Sequence, residues 1–128
     1  ADPAQADATL LRAAIAVRRS GDGDAAALRK NLAQRFAEAR ARGDQTHLRE
    51  QARFALELQG DPMRALELAR RNFDVQREPA DARILLESAI AAGDAQAAKP
   101  ALDWLRDTGM QGARLQLLAQ QVHSGASR

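Results

Sequence analysis

The sequence contains no cysteine, which excludes disulfides, thiolate nucleophiles and any zinc or iron–sulfur site built on cysteine. A reducing and an oxidising compartment suit such a chain equally. Tyrosine is missing as well and aromatic residues reach only 3%, so the core has to be assembled from Ala and Leu with a few large anchors. Val, Ile and Thr, which favour strands, are scarce, while Ala, Leu, Arg, Glu and Gln run from end to end. That balance of intrinsic preferences points to an all-α fold. No stretch approaches the ~18 consecutive apolar residues that a membrane-spanning helix needs, and the chain reads as soluble. Charge of one sign is also lacking: the formal net charge is +2, and the pI of 9.9 reflects arginine outnumbering lysine, not a field strong enough to argue for a polyanionic partner.

At 128 residues the chain is one domain, long enough to bury a modest core without a metal or a crosslink. It opens Ala1-Asp2-Pro3-Ala4, a start that leader cleavage, methionine removal or excision from a longer chain would each produce.

The most informative feature is punctuation. Gly-Asp occurs at Gly21-Asp22, Gly23-Asp24, Gly43-Asp44, Gly60-Asp61 and Gly93-Asp94. Glycine tolerates the left-handed conformation that ends a helix, and aspartate accepts from the free N–H groups that begin the next. Glu78-Pro79 and Thr108-Gly109 supply the remaining breaks. Between them the apolar residues recur at helical spacing, which predicts seven helices, at about 7–19, 25–42, 45–59, 62–76, 79–92, 95–107 and 110–122. The fifth, with Leu85, Leu86, Ala89 and Ile90, has two apolar faces and should be deeply buried. The sixth contains Pro100, which cannot donate a helical hydrogen bond and predicts a kink or a late start. The tail from His123 onward should fray. Very short turns make sequence neighbours antiparallel, and Gly60-Asp61-x-x-x-Ala65 returns as Gly93-Asp94-x-x-x-Ala98 with a period of 33 residues. A repeat of that length favours a solenoid over a closed bundle.

On these residues the chain resembles the tetratricopeptide repeat family, whose units pair a helix A with a helix B across such a turn. Leu56, Gly60, Asp61, Ala65 and Ala69 match one unit, and Leu85, Ala89, Gly93, Asp94 and Ala98 match the next. Three residues depart from the pattern: Arg53 and Leu86 stand where a small residue is usual midway along helix A, and Pro79 comes two residues late. The resemblance implies a right-handed superhelix of antiparallel helix pairs, with a diverged pair at 7–42, repeats at 45–78 and 79–108, and a capping helix at 110–122. It also implies the C-terminal part of a longer bacterial protein, exported rather than cytoplasmic. The function it implies is a non-catalytic scaffold that binds a peptide or partner helix on its concave face, with no cofactor. Carried onto this chain, the ligand-facing positions of helix A are His47, Glu50, Phe54 and Glu57, then Ala80, Arg83, Glu87 and Ile90. Phe54 would be an apolar anchor, and Glu50 and Glu57 would form an acidic strip suited to a basic or amine-bearing ligand.

The candidates for chemistry are thin. His47 and Glu50 lie one turn apart but lack the His-Glu-x-x-His zinc pattern, so a solvated or groove-facing pair is the better reading. His123 falls in the tail. Asp22 and Asp24 flank a glycine, yet Ala25, Ala26 and Ala27 follow where calcium ligands would be needed. Arg18, Arg19, Arg40, Arg42, Arg70, Arg71 and Arg77 would serve an arginine-dependent nucleic-acid reader, the alternative function. Acidic residues lie among them, however, and no aromatic platform is present for stacking bases. A third alternative is a purely structural or dimerising segment. Trp104, Phe36, Phe54 and Phe73 are read first as packing residues. An enzyme is not expected, because no nucleophile, base and orienting group converge.

Overall fold

The computed structural model of the protein describes residues 11, 12, 15, 25–44 and 47–126. The described residues are helical with no strand among them, in six α-helices: α1 (Ala25–Ala41), α2 (Leu48–Glu57), α3 (Pro62–Val75), α4 (Pro79–Ala92), α5 (Lys99–Thr108) and α6 (Ala113–Ala126), with a short 3₁₀ turn at Gln96–Ala98 before α5. Leu11, Arg12 and Ile15 are also helical. The rest of the helix expected at 7–19, and the Gly21-Asp22 and Gly23-Asp24 turns, lie outside the described residues.

The breaks follow from backbone chemistry. Gly43 and Gly93 have φ of +70° and +71°, and each ends its helix in the same way. The N–H of the following aspartate reaches back to Ala39 or Ala89, and that of the glycine to Arg40 or Ile90, which satisfies carbonyls that the helix end leaves free. Gly60 also has positive φ, +61°, but its turn is one residue wider, with Asp61 N–H donating to Ala55. Helix α3 is capped from the side chain, the Asp61 carboxylate accepting from Arg64 N–H at 3.0 Å; the Asp94 carboxylate accepts from Ala97 N–H at 3.1 Å in the 3₁₀ turn that precedes α5, and α2 starts after His47 with no side-chain cap. At α4 a reciprocal cap forms, in which Glu78 and Asp81 each accept from the other's backbone N–H, with Pro79 in the first turn.

Pro100 takes the late start over the kink. The 3₁₀ turn carries the chain to Lys99, and the proline occupies the first turn of α5, where an N–H has no helical partner to lose. The last helix departs from expectation at both ends. It begins after Gly112, and it continues through His123 to Ala126 where a fraying tail was expected. Val122, buried in line with Leu115 and Leu118, holds that final stretch against the core.

Helix α2 packs on α3, α3 on α4, and α4 on α6; α2 also meets α4 directly, and the 3₁₀ turn and α5 lie against α4. Helix α4 is therefore surrounded, and Ile84, Leu85 and Leu86 are all fully buried. The core divides at α2. Leu48, Ala52 and Ala55 face the larger cluster shared with α3 and α4, whereas Phe54 and Leu58 join Leu11, Leu32 and Phe36 in a second one. Ala65 and Ala98, the small residues after the two turns, have no exposed surface. Phe73 meets Trp104 edge-on at 6.3 Å, and Arg77 lies over the other aromatic partner, Phe73, at 5.2 Å. No helix among the described residues is long and apolar enough to cross a membrane.

Candidate binding surface

The face shared by α2 and α4 collects most of the expected ligand-facing residues, and arginines stitch it together. Arg53 on α2 donates to both carboxylate oxygens of Glu87 on α4, at 2.8 and 3.4 Å, and also to Glu57 one turn along its own helix. Arg83 approaches Glu87 from the other side at 2.6 Å. Burial by itself would raise the Glu87 pKa, but the hydrogen bonds and positive charges of Arg53 and Arg83 outweigh it and hold the carboxyl below its ordinary value of 4.5. One turn toward the start of α2, Arg49 lies within 3.8 Å of Glu50, 3.7 Å of Glu78 and 3.3 Å of Asp81.

This geometry changes the expected character of the face. Glu50, Glu57 and Glu87 are there, half-buried, and Arg83 is exposed. Arg49 and Arg53 stand among the carboxylates, so the surface alternates in sign and is not an acidic strip. In the sequence Arg53 is only a departure from a small residue. Its side chain instead spans to the residue 34 positions on, a partner that no local pattern announces.

Two of the expected contact residues are not on the surface. Phe54 is 3% exposed, with its ring edge-on to Phe36 at 5.4 Å; it is a core residue of the α1–α2 cluster, because α2 carries two apolar faces and this one turns toward α1. His47 is likewise buried at the start of α2, its Nε2 3.3 Å from the Asp44 carboxylate. Its carboxylate neighbour is therefore Asp44 from the preceding turn, and not Glu50. Ile90 is exposed at the far end of α4, where it lines a small pocket with Gly93 and with Val122 of α6, and Ala80 is exposed at the near end.

Beneath this face lies a buried polar cluster that the sequence did not reveal. Asp81 has no exposed surface. It accepts from Asn72 Nδ2 at 2.7 Å, from Arg49 at 3.3 Å and from the Glu78 backbone N–H at 2.9 Å, and so ties α2, α3 and α4 to one carboxylate. Among the described residues no three His, Asp or Glu side chains converge in a metal-binding group. No family model, curated protein or solved structure matches the chain.

Proposed function

We propose that the chain is a non-catalytic helical-repeat module of the tetratricopeptide type, with successive units at 45–78 and 79–108 stacked in a right-handed superhelix. Its work is to hold a peptide or partner helix against the face of α2 and α4. The observation that carries this reading is the recurrence, 33 residues apart, of a left-handed glycine, a capping aspartate and a buried alanine. Gly60 and Gly93 both take positive φ, Asp61 and Asp94 both cap the next segment, and Ala65 and Ala98 are both fully buried. The direct packing of α2 on α4 adds support, since stacked repeats contact their neighbours and leave a long surface for a ligand.

The ligand class follows from the charges. Glu50, Glu57 and Glu87 alternate with Arg49, Arg53 and Arg83, so the face favours a segment carrying both signs over a purely basic one. Exposed and half-exposed pairs of this kind contribute only about 0.2–1 kcal/mol each to folding, and exchanging them for contacts to a partner costs the fold little. Glu50→Lys with Glu57→Lys should weaken partner binding at least about tenfold while melting changes by a few degrees at most. Arg70→Glu with Asp74→Lys on α3 should leave binding as it was. The opposite pattern would place the binding surface on α3 and end this assignment.

A further inference from the structure

Where α1 ends at the Gly43 turn, a cavity of about 250 Å³ remains between that turn, α2 and α3. Leu48 and Leu68 give it an apolar floor, and Arg40 and Arg71 bring two guanidinium groups to its walls. Gln51 reaches it from α2, with only 2% of the residue exposed. Arg40 Nη1 donates to Gln51 Oε1 at 3.5 Å, and this contact sets the amide's orientation, because the reverse would bring two donors face to face. Gln51 Nε2 is then a buried donor with no acceptor among the described residues. Buried donors are nearly always paired, so this one points to an acceptor brought from outside.

The charges at the cavity select the acceptor. Of the lining residues, the one carboxylate is Asp44, already engaged by Arg42 at 3.8 Å and His47 at 3.3 Å. Two guanidinium groups against one occupied carboxylate favour an anion, but Asp44 disfavours a doubly charged one. The leucine floor suits an aliphatic carbon attached to it. We propose that this cavity binds an aliphatic carboxylate, one oxygen accepting from Gln51 Nε2 and the other from the guanidinium of Arg71, since Arg40 already donates to Gln51 Oε1. The site faces α1 and α3, and it does not rest on the proposed role of the α2 and α4 face.

The test is an NMR titration at constant ionic strength that follows the Gln51 side-chain amide, with butyrate, inorganic phosphate, and N-acetyl-alanyl-leucine as its free acid and as its amide. Butyrate should shift the Gln51 amide saturably, while phosphate and the peptide amide should not. Arg71→Gln, at an exposed position where the fold is not at stake, should raise the butyrate Kd at least about tenfold, the loss of one charge-assisted hydrogen bond. A peptide acid that binds about tenfold more tightly than butyrate identifies a chain terminus as the natural ligand, whereas equal or weaker binding identifies a free small acid. The proposal is overturned if the Gln51 amide shows no saturable shift, if phosphate saturates it at the same concentration as butyrate, or if Arg71→Gln binds like the parent.

Discussion

Asp81→Ala tests whether one buried carboxylate holds three helices together. Three partners lose their acceptor. The Glu78 N–H belongs to the reciprocal cap of α4, and loss of such a cap costs about 0.5–2 kcal/mol. Asn72 has no exposed surface, so its Nδ2 becomes a buried donor without a partner, at about 1–3 kcal/mol. Arg49 is one-third exposed and can turn to water, adding little. The total of about 2–5 kcal/mol is a large part of the ~5–15 kcal/mol expected for a domain of this size, and corresponds to melting lowered by roughly 10–20 °C. Urea unfolding reads the change as a lower midpoint with an unaltered slope. The companion variant sharpens the test. With Asn72→Ala already in place, the further change Asp81→Ala should cost less than it does alone, because no buried donor is then stranded, giving a coupling of about 0.5–3 kcal/mol. A loss below about 1 kcal/mol for Asp81→Ala, or strict additivity of the pair, would show that Asn72 finds another acceptor and would refute the argument.

Three further outcomes are expected. Ala65→Leu and Ala98→Leu should each destabilise by about 1–3 kcal/mol through overpacking; unchanged melting would remove the close helix crossings as a feature of the fold. Phe54→Ala should cost about 3–5 kcal/mol, whereas a ligand anchor on an open groove would leave stability nearly unchanged. Because the folded-state pKa of Glu87 is depressed, its contribution is complete above the ordinary value of 4.5 and is lost as pH falls through the lower folded value. The stability advantage of the parent over Glu87→Gln, followed by urea unfolding between pH 6 and pH 3, should therefore shrink toward the acid end, and an advantage that grows there would contradict the assignment.

What was legible in the sequence was whatever local chemistry decides. Gly43 and Gly93 specify a helix end locally, and the structure shows both in the same conformation; the next start is less local, since α2 begins at Leu48 without a side-chain cap and α5 at Lys99 after the 3₁₀ turn. Pro100 restricts its own backbone, so a kink or a late start for α5 followed from one residue, and the late start is the one that forms. The double apolar face of α4 announced its burial because Leu85 and Ala89 line one side and Leu86 and Ile90 another, which leaves the Arg83 and Glu87 side as the polar one. The surface was harder to read, since it depends on which of two apolar stripes turns outward. On α2 the stripe of Phe54 and Leu58 is covered by α1, and nothing within α2 distinguishes it from an open groove. Arg53 and Asp81 acquire their roles from residues on other helices, Glu87 at a distance of 34 positions and Arg49 at 32, which periodicity within one helix does not encode. The extension of α6 to Ala126 lacked any stop signal ahead of Gly125 and rests on the burial of Val122.

The central claim, that partners dock on the face of α2 and α4, is tested most directly by site-specific photo-crosslinking. A photoreactive amino acid is placed at Arg83, exposed on α4, or at Arg70, exposed on α3, in protein added to an extract of the native cells. The account predicts a discrete adduct from position 83 that unlabelled protein competes away and that Glu50→Lys with Glu57→Lys abolishes, and none from position 70. A competed adduct from position 70 with none from position 83 would contradict it.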